Sequence, residues 1–239
     1  MARAGRFLTV DLGAESGRAV LGAIENGKLT LMDQHRFLNQ PQWILGRFHW
    51  DTVRLFADIK AGIVAAHKNH GNIDGIGIDT WGVDFALLDS RDECLGLPYH
   101  YRDHRTDGVM EKAFEIISTE KIYQSTGIQF MQLNTLFQLL ALKFDNSPFL
   151  DQAKSLLFTP DLFHFWLTGI KVNEFSIAST SQCFNPRTGT WATDILSGFG
   201  LPTDIFAPIV PPGTQIGELH ASVQKDLGVG AIPVIVPAC

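Results

Sequence analysis

Phe7-Leu8-Thr9-Val10-Asp11-Leu12-Gly13-Ala14-Glu15-Ser16-Gly17-Arg18-Ala19-Val20-Leu21 is the stretch on which the reading of the fold turns. Two apolar runs flank a short polar loop holding an Asp, two Gly, a Ser and an Arg, the pattern of a β-hairpin. Gly13 and Gly17 let the backbone approach a ligand with no Cβ in the way. Adjacent N–H groups turned into such a loop make a concave nest for an anion. Asp11, at the end of the first strand, suits a divalent cation or its water, and Arg18 suits a phosphate. An ordinary tight hairpin with a solvated Asp is the competing reading of the same residues.

Outward from the hairpin, Glu25-Asn26-Gly27-Lys28 reads as a tight turn and residues 29–37 as a third strand of a meander. A polar connection through Pro41, Trp43 and Trp50 leads to Asp51, a good helix N-cap. Leu55, Phe56, Ile59, Ile63 and Val64 then recur at helical spacing to about Lys68, and Gly71 is the stop. Residues 73–79 form a short β-rich run entered from a helix, which predicts parallel pairing with an earlier strand. Residues 83–89 read as a further strand. Helices are predicted over 106–117, 119–125, 134–144 (capped by Asn134) and 160–167 (closed by Gly169). Strands, a helix and strands again imply an α/β layer fold with a mixed sheet. Residues 231–239 read as an apolar strand with no polar residue after it. The expectation is a chain cut inside a core strand, with an apolar edge open to association.

At 239 residues, 45% hydrophobic and 18% charged, the chain is long and apolar enough to bury a large core. A net charge of −6 argues against nucleic acid or an anionic membrane as partner, while leaving room for a local cationic pocket. Cys94, Cys183 and Cys239 are odd in number and widely spaced, which fits a reducing, cytoplasmic setting. The apolar run after Arg6 is broken by Asp11 and Glu15 too early for a signal peptide, and no run is long enough to span a membrane.

The chain has no G-x-x-x-x-G-K-[ST] loop, and Gly75-Ile76-Gly77 lies inside a strand rather than ahead of a helix. His100 and His104 sit four apart, but the surrounding Tyr and Arg residues favour loop histidines over a metal pair. Two segments resist dismissal. Asp79-Thr80-Trp81-Gly82-Val83-Asp84 places acids, a ring and a Gly at a strand end, where ligand crevices of open α/β sheets lie. Tyr101-Arg102-Asp103-His104-Arg105-Thr106 adds a second cluster of charge and ring. Carboxylates that accept hydroxyl protons beside a ring that packs on C–H faces are what polyol recognition needs. Alternatively Asp79 and Asp84 cap strand ends and Arg105 pairs with one of them.

Together these residues resemble a known family. Asp11-Leu12-Gly13-Ala14-Glu15-Ser16-Gly17-Arg18 resembles the first phosphate loop of the actin-like ATPase (ribonuclease H-like) fold, as found in the FGGY carbohydrate kinases. Gly75 to Leu88, with Asp79-Thr80-Trp81-Gly82-Val83-Asp84-Phe85, and Leu97 to Thr106 are similar to the rhamnulokinases among them. So are Gly127-Ile128-Gln129-Phe130, Asn134-Thr135-Leu136, the Pro160-Asp161 to Leu167-Thr168-Gly169 segment, and Pro212-Gly213 to Gly217.

The resemblance implies ATP-dependent, Mg2+-assisted phosphorylation of L-rhamnulose at its 1-hydroxyl. It places Asp11 by the γ-phosphate and metal, Gly13, Ala14, Glu15, Ser16, Gly17 and Arg18 around the phosphates, and Trp81, Gly82 and Asp84 at the sugar. Asp103 and Arg105 are further sugar-site candidates. Glu15 departs from the small polar residue usual at that point, since a carboxylate beside a phosphate repels it. The resemblance further implies that 1–239 is the N-terminal, sugar-binding half, inactive alone. The catalytic Asp and the ATP-binding second domain then lie beyond Cys239, with a C-terminal half or self-association through the apolar end as partner. A sibling kinase acting on fuculose, xylulose or glycerol is the alternative within the family. A non-catalytic sugar-binding or association module is the alternative outside it.

Overall fold

The structure, a computed structural model, describes residues 5–239; the first four residues of the expected domain lie outside the described residues. The opening hairpin forms as its sequence predicts. β1 (Gly5–Leu12) and β2 (Ser16–Glu25) pair antiparallel throughout, with Asp11 opposite Arg18 and Leu12 opposite Gly17. Asn26 and Gly27, both at positive φ, turn the chain into β3 (Lys28–Leu38), the antiparallel neighbour of β2. The polar connection holds a small hairpin, β4 (Gln42–Ile44) with β5 (Arg47–His49), turned at Leu45-Gly46.

Asp51 caps α1 (Thr52–His70) by accepting the Arg54 N–H at 3.1 Å, and Gly71 ends it at φ 74°. β6 (Gly75–Asp79) pairs parallel with β1, which sets Asp79 beside Asp11. β7 (Phe85–Leu88) is followed by α2 (Val109–Ile116), α3 (Thr119–Thr126), α4 (Thr135–Phe144) and α5 (Pro148–Gln152). Its partner comes only after them: β8 (Ser155–Phe158) pairs with it antiparallel, in a ribbon apart from the central sheet. α6 (Thr159–Thr168) follows, with Pro160 in its first turn and Gly169 closing it. The remainder runs through β9 (Asn173–Glu174), α7 (Phe175–Ser179), β10 (Phe184–Asn185), β11 (Thr190–Trp191), α8 (Thr193–Gly198) and β12 (Ile209–Val210). It closes with β13 (Gln215–Glu218), α9 (Ala221–Leu227) and β14 (Pro233–Ile235).

The central sheet has the order β13-β14-β6-β1-β2-β3, parallel across β14, β6 and β1 and antiparallel elsewhere, the mixed sheet expected. Leu8, Val10 and Leu12 face one side, packed with Leu55, Ile59 and Ile63 of α1 and Phe163 and Leu167 of α6. Burying each such side chain stabilises the fold by roughly 1.5–3 kcal/mol. By the two-residue period of a strand, Phe7, Thr9 and Asp11 face the other way. Asp11 therefore ends β1 on the face those helices leave open. A second core joins Phe85 and Leu87 of β7, Leu156 and Phe158 of β8, and Leu136, Phe137 and Leu140 of α4.

Two expectations are revised. β14 is no open edge, because β13 pairs along one side and β6 along the other, and Val234 and Val236 are fully buried. Asn134 occupies the N-cap position of α4 without capping it; its Nδ2 donates to the Gln129 carbonyl and to Gln182 Oε1, both at 2.9 Å. No helix among the described residues is long and apolar enough to cross a membrane.

Candidate functional site

The β1–β2 turn is tightened from inside and clamped from outside. The Gly13 N–H donates to the Ser16 carbonyl at 2.8 Å. Buried Asn39, just past β3, donates its N–H to the Glu15 carbonyl (3.0 Å) and its Nδ2 to the Gly13 carbonyl (2.9 Å). The N–H groups of Ala14 and Glu15 donate to no described residue. Glu15 and Ser16 are exposed. Gly17 has a different cause from the one its sequence suggests. A Cβ there would lie 2.4 Å from the Phe37 ring and 2.7 Å from Leu12 Cδ2, so core packing, not ligand approach, excludes a side chain.

Arg18 holds Asp11 through two donors on one oxygen, Nε at 2.9 Å and Nη2 at 2.8 Å from Oδ2. Oδ1 of Asp11 has no partner among the described residues. A cavity of about 450 Å³ opens here, lined by Asp11, Gly13, Ser16, Gly17, Arg18 and Arg36 among others. Arg36 was missed from sequence; the signal lay in strand register, which puts it directly beside Arg18 on β3. Both guanidinium groups of the lining are ion-paired, Arg18 with Asp11 and Arg36 with Asp33 (Nη2 to Oδ2, 2.6 Å), and each keeps further N–H donors of the kind that phosphate oxygens accept.

Next to Asp11, Asp79 ends β6 with its Oδ1 buried and unpartnered. Burial pushes its carboxyl above the ordinary range; a Cys239 hydrogen bond opposes this and the Asp11 charge adds to it. Beyond it the chain makes an unusual turn. Val83 sits at φ 68°, and the Asp84 N–H donates back to the Gly82 carbonyl at 2.9 Å, a γ-turn of the strained hand. A β-branched residue in that region costs on the order of 1–3 kcal/mol. Thr180 Oγ1 accepts the Val83 N–H at 3.2 Å, and Thr135 Oγ1 donates to the Val83 carbonyl at 2.6 Å. The Trp81 and Gly82 N–H groups donate to no described residue.

Asp84 is not a free hydroxyl acceptor. It is fully buried, with Oδ2 taking the indole N–H groups of Trp50 (2.6 Å) and Trp81 (3.1 Å) and the Tyr101 N–H (3.1 Å). Its Oδ1 takes Gln138 Nε2 at 2.8 Å. Burial pushes its carboxyl up to about 6, against the pull of these hydrogen bonds and of Arg105. Asp103 is likewise spent, on the Phe48 N–H (2.6 Å) and the Arg105 N–H (2.9 Å). Arg105 is buried on the Tyr99 ring, donating to Gln138 Oε1 at 2.6 Å. Asp84 and Asp103 thus brace the site from behind, every carboxylate oxygen already having a protein donor, while Arg105 is buried beside them with its Nε and Nη1 left without a hydrogen-bond partner.

The rings follow the same logic. Trp43, Phe48, His100, Trp50 and Trp81 stack in series, with centroids 4.6, 4.4, 4.0 and 3.7 Å apart. Trp81 is half-buried, with one face against Trp50. His100 is an interior member of the stack, its imidazole lowered to about 4 by burial and Arg102, and His104 is exposed. No group of three or more metal-ligating side chains occurs among the described residues. A cation held at Asp11 would therefore need oxygens from a bound phosphate, as Mg2+ ordinarily takes. Asp11 Oδ1 and the remaining donors of Arg18 and Arg36 are the groups of this cavity whose chemistry suits a magnesium-bound phosphate.

The family model for the N-terminal domain of the FGGY family of carbohydrate kinases matches residues 6–239. The rhamnulokinase of Oceanobacillus iheyensis is 45% identical over 231 residues, covering 97% of this chain and 49% of its own. That of Bacteroides thetaiotaomicron is 44% identical over 233 residues, covering 97% and 48%. The chain spans about half the length of the curated relatives it matches. Among solved structures, a gluconate kinase from Lactobacillus acidophilus superposes with TM-score 0.87 at 22% identity, over 99% of this chain and 48% of that one. A Plasmodium falciparum glycerol kinase with ADP gives TM-score 0.81 at 16% identity, over 97% and 48%. At these identities the likeness is one of fold.

Proposed function

The chain belongs to the FGGY family of carbohydrate kinases, and from that membership we propose that its two loops form the sugar- and phosphate-facing half of a site that phosphorylates L-rhamnulose at its 1-hydroxyl. One observation carries this reading. β1 and β6 are parallel neighbours with Asp11 beside Asp79, so the loop from Asp11 to Arg18 and the Trp81–Gly82 turn open at the same end of the sheet. Crevices at the carboxyl ends of parallel strands are where open α/β sheets bind ligands. That the relatives at 40–45% identity are rhamnulokinases supports the ketose.

Bound ATP with Mg2+ would supply the phosphoryl group and neutralise its charge. The chain's own residues position and orient. The Ala14 and Glu15 amides, Arg18 and Arg36 hold phosphate oxygens, with Gly13, Ser16 and Gly17 shaping the loop. Asp11 Oδ1 would hold the metal or its water. The unspent Gly82 N–H and the edge of Trp81 meet the sugar. Such placement is the greater part of what phosphoryl transfer asks of a protein. Residues 1–239 act as the sugar-binding half. The general base and the adenine site are expected from the half of the relatives that this chain does not span.

Calorimetric titration of this chain with L-rhamnulose and with Mg-ADP, beside a kinase assay, tests the reading. Binding of the ketose without turnover is expected. Binding of neither ligand, or preference for fuculose, xylulose or glycerol, overturns it.

A further inference from the structure

We propose that Thr180 is a positioning residue for the ketose, locking the strained turn at Val83 in the shape that presents Gly82. The inference rests on the sugar site proposed above and adds a residue from a distant part of the chain.

The backbone around Val83 is pinned unevenly. The Val83 carbonyl is held by Thr135 Oγ1 at 2.6 Å and Gln138 Nε2 at 3.4 Å. The Asp84 carbonyl is held by the Thr159 N–H at 3.0 Å and its Oγ1 at 3.2 Å. These bonds fix everything after Val83 Cα to the starts of α4 and α6. The preceding peptide, between Gly82 and Val83, is different. Its carbonyl bonds only to Asp84 inside the turn, so the 3.2 Å bond from the Val83 N–H to Thr180 is its one tie to the rest of the described molecule. A change in φ at Val83 swings this peptide, and the strain at φ 68° favours such a swing.

Thr180 is built to oppose it. Its Oγ1 donates to the Ile177 carbonyl at 2.8 Å and its N–H reaches the same carbonyl at 3.1 Å. The hydroxyl proton is thereby committed to α7, leaving a lone pair for Val83. Thr180 also covers Gly82, where a Cβ would stand 3.2 Å from its Oγ1 and 3.4 Å from its Cγ2. α7 is itself well anchored, with buried Glu174 accepting the Ser176 and Ile177 N–H groups at 2.8 and 3.0 Å. The same helix holds the segment after β14, through Ser176 Oγ and the Cys239 N–H at 2.8 Å. One short helix thus braces the turn under the ketose and the segment that follows the central strand.

The test uses this chain with Thr180→Val, which keeps the shape and removes the acceptor, and Thr180→Ser, which keeps the hydroxyl. Thr180→Val should weaken L-rhamnulose binding about tenfold, the worth of one hydrogen bond, with Mg-ADP affinity unchanged. Thr180→Ser should bind the ketose like the parent. In a Val83→Gly background the same Thr180→Val change should cost less than about threefold, because glycine holds a positive φ unaided. Ketose binding insensitive to Thr180→Val, or an equal loss in both backgrounds, overturns the inference. If the parent binds no ketose, the proposed sugar site falls, and exchange of the Val83 amide still decides the role of Thr180. Exchange about tenfold faster in Thr180→Val supports it; unchanged exchange rejects it.

Discussion

The indole N–H of Trp50 meets Oδ2 of Asp84 at 2.6 Å, and both residues are fully buried. The bond joins the segment after β5 to the segment before β7, and the Trp81 indole N–H shares the same oxygen. A buried carboxylate is tolerable only when its oxygens are filled by donors, and here four protein groups fill them. Trp50→Phe removes one donor and keeps a ring for the stack. The expected cost is about 1–3 kcal/mol in chemical denaturation. A loss below about 0.5 kcal/mol would mean the bond adds nothing.

Asp84 also gives stability a pH dependence. Its carboxyl stands at about 6 when folded, against 3.8 for the free side chain. Between these values the folded protein holds a proton that the unfolded chain has released. The contribution is therefore fully present below about pH 4, falls as the pH rises to about 6, and is constant above that. Compared with Asp84→Asn by urea denaturation, the parent should lose relative stability across this window, by a total of order 3 kcal/mol. A difference that stays flat or rises from pH 4 to 6 contradicts the assignment.

Arg18 and Arg36 should separate stability from anion binding. The Arg18–Asp11 pair is about half exposed, so its removal should cost at most about 1 kcal/mol. Arg18→Gln and Arg36→Gln should each weaken Mg-ADP binding roughly tenfold in calorimetry, with melting temperature lowered by no more than about 2–4 °C. Unchanged Mg-ADP affinity in both variants would remove the arginines from the phosphate site.

Gly17 and Gly13 differ in kind. At Gly17 a methyl would sit 2.4 Å from the Phe37 ring, whereas at Gly13 the nearest atom is the Ser16 carbonyl oxygen at 3.3 Å. Gly17→Ala should destabilise by about 1–3 kcal/mol through overpacking, and Gly13→Ala by clearly less. Thermal melts of the two variants check the order; equal losses refute it.

Part of the fold was legible because local chemistry and pattern agreed. The β1–β2 hairpin, the Asp51 cap, the Gly71 stop and the parallel entry of β6 each follow from residues close in sequence. The pairing of β7 was not legible. Ser155-Leu156-Leu157-Phe158 is a four-residue apolar run that pattern alone does not separate from helix, and its partner lies four helices upstream. Asn134 shows the same failure on a smaller scale. A cap-type residue at a helix start reads as a cap, but Gln182, far along the chain, claims its side chain.

The sequence by itself determined the family, because its motifs are residue types at fixed short spacings; the turn at Val83 it did not, since residues 83–89 read there as one strand. Only the tertiary structure decided which charged residues face the cavity. Asp84 and Asp103 look like ligands in sequence and are buried braces in space; Arg36 is silent in sequence and stands beside Arg18. Strand register and burial draw their partners from distant segments, and a side chain's protein partners settle whether it has anything left to offer a ligand.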